Sequence, residues 1–470
     1  QGRRGRAALL LGLVVPTCIV LAVLSKENGA LAPALCGVIE WLVFVPASGR
    51  RRHPASTFLV MLVLLFPAFV AIALTALGDP RIIGGYVNRP FTLPERLLTQ
   101  PRALWDYVGA WLLPYGPRLG LYHDDFEVSR SLLSPATTIV AVVGWLLVLA
   151  AAWRLRRTIP ALALGIAIFL VGQALESSVF PLLMYFEHRV YLPSIGLAWA
   201  LLGSIAYLLP KLERHMNHGA RVFTGAAAGL VLVLGLATTA RTLVWSNQAS
   251  ILAQALAHHP DSRWARMDAI AFDMARHPPA TASAFAHASY LSRQQSPVDR
   301  RFGNLMTLSL TCVTGGSITP ELEDDVFGGK VDSIEPDLLI GYESLAARIT
   351  RHPCPGLGPA EMAGALARML DRSPLPKGHR SVWRLRFQAA RLYWTAGEKE
   401  LALRQARLAL AARSAEAPVP LFLAGMLIEQ GDRQGAARAL RDARARLRPG
   451  DERGLRLLSR YEAALAQPPG

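Results

Sequence analysis

The chain is short of charge: Asp, Glu, Lys and Arg make up 18% of its 470 residues, against 52% apolar ones. That balance excludes one soluble domain, and the length predicts two or more domains. Cysteine is scarce too, with four residues and no pair at zinc-ligand spacing, which excludes a zinc module. Neither an aromatic strand motif nor a continuous basic helix with base-reading residues accompanies the net charge of +16, so no nucleic-acid partner is expected. The first apolar run has no small-residue cleavage site after it and is too long for a signal peptide. The sequence starts at Gln1 without Met and enters Arg3-Arg4-Gly5-Arg6 at once, the pattern expected of a fragment lacking its N-terminus.

What the chain has instead is unevenly spread grease. Its first half holds apolar runs of about 18 to 22 residues, the length that crosses hydrocarbon. Seven spans are predicted, over 7–24, 29–47, 57–78, 135–154, 159–180, 192–209 and 221–243. Basic clusters at Arg3-Arg4-Arg6, Arg50-Arg51-Arg52-His53, Arg154-Arg156-Arg157 and Lys211-Arg214-Arg221 fall on alternate sides. By the positive-inside rule these are cytoplasmic, which makes the N-terminus cytoplasmic and everything after about residue 243 external. The expected setting is therefore a membrane, crossed several times, with the second half on its external side. The expected fold class is all-α: a polytopic helix bundle over 1–244 with an outer loop at 79–134, then degenerate helical hairpins over 245–380, then tetratricopeptide repeats and a capping helix over 381–470. The repeat signal is explicit, since Gly397 and Gly431, Ala402 and Ala436, and Ala409 and Ala443 are each one period of about 34 residues apart.

Ionisable residues gather in three external stretches. One is the turn Ser25-Lys26-Glu27-Asn28-Gly29. Another is Tyr122-His123-Asp124-Asp125-Phe126, in the long outer loop, after a segment from Pro94 to Pro114 that reads as an amphipathic surface helix with Trp105 and Trp111 at the interface. The third runs from Leu175 to Gly196 and holds Glu176 and Glu187-His188-Arg189 among Tyr185, Phe186 and Tyr191. Such groups beside hydrocarbon must face water, head groups or each other. They also suit simple anchoring: Lys26 as a snorkelling helix end, Arg189 as an interfacial pin, the Asp pair as a helix cap. Glu40 lies inside a span, and Gly84-Gly85 reads as a turn and not a phosphate loop.

In this order and on this side of the membrane, the SKENG turn, the HDDF turn, the LES and FEHRVYLPSIG segment and the terminal repeats resemble bacterial relatives of the transmembrane-and-tetratricopeptide protein O-mannosyltransferases, of the GT-C class. The resemblance implies transfer of a sugar from a polyprenyl-phosphate carrier to a periplasmic protein or glycan, with the repeats recruiting the acceptor. It also implies an essential acidic residue in a first outer loop that this chain does not contain, so the fragment by itself is expected to lack full catalysis. The family pattern more often has His where Gln173 stands and Asn where Val190 stands.

Such chemistry needs a base for the acceptor and cationic groups for the departing phosphate. Asp124, Asp125 and Glu187 are the candidate catalytic carboxylates. Lys26 and Arg189 are the candidate phosphate ligands, with Glu27, His123, Glu176, His188 and Tyr191 as further substrate contacts. A divalent metal on His123, Asp124 and Asp125 would require a second contributor such as Glu187 or His188, because adjacent residues cannot all reach one ion. The expected partners are the lipid-linked sugar, membrane lipids and an acceptor protein. A non-enzymatic membrane scaffold for envelope assembly and an oligosaccharide polymerase or ligase are the competing readings. Cys18 and Cys36 lie in separate spans and are expected to be reduced, whereas Cys312 and Cys354, both on the external side, bracket a Gly- and Pro-rich loop and are expected to form a disulfide.

Alkaline phosphatase fused at about residue 300 should therefore be active in bacteria. An inactive fusion there, with an active cytoplasmic reporter at the same point, would reverse the orientation.

Overall fold

The computed structural model describes residues 10–44, 85–86, 89–114, 119–213, 219–412, 415–448 and 450–467. The span predicted at 57–78 and the basic clusters at 3–6 and 50–53 lie outside them. The described residues form nineteen α-helices, and their only β-type pairings are two isolated bridges. The chain divides into two compact units, Gln1–Ala265 and Arg266–Gly470.

In the first unit the helices are α1 (Val15–Ser25), α2 (Ala32–Ile39), α3 (Leu93–Leu112), α4 (Thr137–Leu155), α5 (Pro160–Gln173), α6 (Tyr191–Glu213), α7 (Gly219–Val244) and α8 (Gln248–His258). Among the described residues three stretches are long and apolar enough to cross a membrane: Thr137–Leu155, Glu187–Lys211 and Arg221–Val244. This corrects the expectation of seven continuous spans. The run at 7–24 divides into a π turn (Leu10–Val14) and the 11-residue α1, and the run at 29–47 divides into a 3-10 turn, α2 and a further π turn (Glu40–Phe44). The run at 159–180 stops being α-helical after Gln173, so α5 has 14 residues. Hydropathy reports the burial that a run favours; it does not report whether the helix is unbroken.

Helices α5 and α6 approach through glycine. A Cβ on Gly165 would strike the backbone of Gly196, and a Cβ on Gly196 would strike that of Gly165, so the two helices meet backbone to backbone. Helix α3 begins at a capping box in which Thr92 and Glu95 satisfy each other's backbone N–H groups, with Pro94 in the first turn. Its place as a surface helix needs one revision. Trp105 packs on Trp145 of α4, ring centroids 4.8 Å apart, and donates to the Ala141 carbonyl at 3.1 Å, so this indole faces a protein helix and is not at an interface.

From residue 263 onward the helices are α9 (Arg263–Ala275), α10 (Thr281–Ser292), α11 (Pro297–Val313), α12 (Pro320–Phe327), α13 (Pro336–Arg351), α14 (Pro359–Arg372), α15 (Arg380–Thr395), α16 (Lys399–Leu410), α17 (Pro418–Glu429), α18 (Arg433–Arg446) and α19 (Glu452–Ala466). One hydrophobic core runs from Leu291 to Leu458 without a break at the expected boundary near 380. The first boundary also moves, from 244 to 265, because residues 245–265 bond to the outer loop of the first unit, as described below. Gly397 (φ +85°) and Gly431 (φ +79°) end α15 and α17 in the left-handed conformation that favours glycine, and each lets the next helix fold back. The small residues Ala402, Ala406, Ala409, Ala436 and Ala443 are buried between the neighbouring helices. Helix α15 starts at Arg380, and Val382, Trp383 and Leu385 in its first turns are already buried.

Cys312 and Cys354 form a disulfide with Cα atoms 5.2 Å apart, closing a separation of 42 residues. Ile318 N–H donates to the Pro355 carbonyl at 2.7 Å within the same loop. Cys312→Ser should cost the second unit about 3 to 4 kcal/mol in the chain-entropy account, read as a lowered denaturation midpoint under non-reducing conditions. No change between the oxidised and reduced protein would reject this contribution.

Candidate functional site

The segment between α5 and α6 leaves the helical ladder in an apolar setting, so its carbonyls need donors from elsewhere. They come from the stretch that leads into α3 and from α3 itself. Tyr86 donates its hydroxyl to the Val179 carbonyl at 2.7 Å, and Arg89 Nε donates to Pro181 at 2.8 Å. Arg96, with no solvent exposure, donates from Nε to Ser178 at 3.0 Å, from Nη2 to Glu176 at 2.5 Å and from Nη1 to Leu182. Burial, and then the repulsion of Arg189 and Arg89, lowers the Arg96 pKa to about 10, against the pull of Tyr86 and Glu176; the group is therefore still cationic near neutrality. Tyr107, one face further along α3, accepts from the Phe186 N–H at 2.9 Å and stacks on Tyr185 at 4.5 Å. Its hydroxyl pKa is raised by the same burial.

Held in this way, the segment pairs Glu176 Oε2 with Arg189 Nε at 3.0 Å, both side chains about nine-tenths buried. Arg189 also donates Nη1 to the Leu183 carbonyl at 2.6 Å and lies over the Phe186 ring. Gln173, 1% exposed at the end of α5, has no hydrogen-bond partner for its amide among the described residues.

A second cluster lies at the HDD turn. Glu187 Oε1 accepts from Gly120 N–H at 2.5 Å and pairs with His123 Nε2 at 3.1 Å. Asp125 pairs through both oxygens with His259 Nδ1, at 3.0 and 3.1 Å, and the His123 and His259 rings meet edge to face at 4.9 Å. Tyr185 stacks on Phe126 and meets the edge of His123 at 4.8 Å, so it links this cluster to Tyr107. Asp124 turns away. It accepts from Ser262 Oγ at 2.5 Å and from Trp264 N–H at 3.2 Å, and burial raises its pKa. It serves to hold the turn that opens α9, where Ser262 also caps Ala265 N–H at 3.0 Å.

The chain matches no family model, no curated protein and no solved structure. The site is therefore judged on its geometry. Of the candidate residues, Glu176 pairs with Arg189, and His123, Asp125 and Glu187 gather in the second cluster, while Asp124 faces the 259–264 turn. Lys26 and Glu27 are exposed at the end of α1 and form no side-chain ion pair among the described residues; His188 touches the Phe186 ring, and Tyr191 is 85% exposed at the start of α6. No group of three or more His, Cys, Asp or Glu side chains is arranged to hold a metal among the described residues. The imidazoles and carboxylates that a divalent ion would need are engaged with one another instead.

Arg96, Tyr107 and His259 were not singled out from the sequence. Arg96 carried a signal: it shares the buried face of α3 with Thr99, Gln100, Ala103, Tyr107 and Ala110, so a charged residue stood at a core position of an amphipathic pattern. His259 carried none, because its partner lies 134 positions earlier.

Arg96→Met should orphan several buried carbonyls and cost at least about 3 kcal/mol. Amides of 176–186 should then exchange much faster in a hydrogen-exchange measurement, and Arg96→Lys should restore little, since a point charge cannot bridge three carbonyls. For Asp124, a raised folded pKa means that its contribution to stability is complete below the ordinary value of 3.8 and is lost as pH rises through the folded value. Thermal unfolding of Asp124→Asn should therefore compare better with the parent protein at pH 7 than at pH 4.

Proposed function

We propose that this chain is a GT-C-like membrane glycosyltransferase component that transfers a sugar from a polyprenyl-phosphate carrier to a periplasmic protein or glycan. The observation that supports the reading is that one segment carries both the buried Glu176–Arg189 pair and Glu187, which pairs with His123 beside the Asp125–His259 pair. In this reading the Asp125–His259 and Glu187–His123 pairs offer a carboxylate-oriented imidazole to remove the acceptor's proton. Arg189 supplies the bidentate donor for the departing phosphate, with Glu176 holding it ready. The inner-membrane setting and the identity of the hairpins α15–α18 as acceptor-recruiting tetratricopeptide repeats belong to the same proposal. They are supported by the alternating basic clusters and the Gly397 and Gly431 turns.

A non-enzymatic scaffold is the second reading, favoured by one fact: the paired charges are already neutralised by each other. The two are separated by assaying the full-length protein in vesicles with a polyprenyl-phosphate-linked labelled hexose. Arg189→Ala should lower transfer at least about a hundredfold at unchanged membrane level, and Arg189→Lys should recover little. Normal transfer by both variants would reject the phosphate role. No transfer by the full-length parent protein, with the array still retaining partners, would favour the scaffold.

A further inference from the structure

The last turn of α7 holds a guanidinium that neither cluster uses. Arg241 stands in a helix with an apolar surface open on nearly every side: Val233, Leu236 and Leu243 are 59%, 63% and 67% exposed. A cation at the end of such a helix needs water, a head group or a protein partner. Its protein partners are weak ones. Nη1 donates to the neutral Gln254 Oε1 at 3.0 Å, and the guanidinium lies 5.3 Å from the centre of the Trp245 ring. Glu187 acts on it electrostatically without forming an ion pair with it.

Beside Arg241 a cavity of about 540 Å³ opens among the end of α7, Gln254 of α8, and Pro114 and Leu119. Its lining is mostly apolar, with Ala237, Ala240, Val244 and Trp245; the Thr238 and Thr242 hydroxyls in it donate to carbonyls of their own helix, and Arg241 is its single cation. A narrower cleft, also lined by Arg241, continues toward Gly120, His258 and His259, the neighbours of the carboxylate–histidine cluster. Neither cavity is lined by Lys26, Asp124, Glu176 or Arg189.

Charge and volume together select the occupant. A free phosphate would need more than one cation and would leave most of an apolar 540 Å³ cavity unfilled. A lipid with an apolar tail and an anionic head would place the tail along Val233, Ala237 and Ala240, where the small side chains leave a groove, and the head on Arg241. The geometry points to a lipid monophosphate site at the outer end of α7, with Arg241 as the phosphate ligand, Trp245 as the interfacial wall and the cleft toward Gly120 and His259 as the route to the carboxylate–histidine cluster. The identity of the lipid as sugar carrier rests on the transferase reading; the binding site itself requires no turnover.

The test is capture, not activity. The full chain in detergent is irradiated with a C15 isoprenyl monophosphate carrying a diazirine in its tail, and labelled peptides are mapped. Labelling is expected within 233–245, competed by unlabelled isoprenyl monophosphate but not by inorganic phosphate or by the isoprenyl alcohol. Arg241→Gln should reduce capture at least about tenfold, the loss of a charge-assisted contact. Ala237→Leu, which fills the groove and keeps the cation, should do the same. Equal capture of the alcohol, competition by inorganic phosphate alone, or capture unchanged in both variants would overturn the site. Capture that depends on Arg241 in a protein whose transfer is indifferent to Arg189 would keep this site and retire the proposed phosphate role of Arg189. Transfer that depends on Arg189 with capture indifferent to Arg241 and Ala237 would do the reverse.

Discussion

A guanidinium with no solvent exposure, Arg96, sets the shape of everything around the candidate site. Burying a cation is unfavourable unless its donors are all used, and an unpaired buried carbonyl is unfavourable as well. The two penalties offset when five N–H donors meet a row of carbonyls. The segment after α5 can therefore leave the helix in an apolar environment, pass through turns and bends at Glu176 and Ser178 to Leu182, and re-enter a helix at Glu187. Pro181 already opposes an unbroken helix through 174–186, and the fork of Arg96 satisfies the carbonyls that the break frees.

The consequences extend to both clusters. The break brings Tyr185 and Phe186 against Tyr107, and Glu187 against Gly120 and His123. The outer loop is fixed a second time by Asp124 and Asp125, which hold the turn at 259–264 by hydrogen bonds from Ser262, Trp264 and His259. Adjacent carboxylates on one turn point in different directions. That is why the pair, legible in the sequence as one acidic motif, separates into a structural anchor and a histidine partner.

Helical class and the glycine-ended hairpins near the C-terminus were legible in the sequence, because each rests on local signals: apolar period, a left-handed glycine, a small residue at each close approach. The partners of the site residues were not. Glu176 with Arg189 could be guessed from proximity along the chain, but His259 with Asp125 and Arg96 with the Glu176 carbonyl are set by how distant segments meet. The disulfide is intermediate. Composition and placement singled out Cys312 and Cys354, while their approach to 5.2 Å depends on how α11 and the loop before α14 pack.

The shortfall in long apolar helices has the same physical root as the site. Seven hydrophobic runs look alike to a hydropathy window, since it measures only side chains. The backbone adds a second condition: a run can break at depth only where side chains or water accept its freed polar groups. Among the described residues, two such breaks, around 26–31 and at 174–186, lie next to Lys26, Glu27, Glu176, Glu187, His188 and Arg189. In the second place the donors are visible, in Tyr86, Arg89 and Arg96. An apolar run that stops short of a full span beside such donors therefore marks where polar chemistry can be held against hydrocarbon. The broken helices and the ionisable residues are two outcomes of one constraint, and the segment from Leu175 to Gly196 carries both.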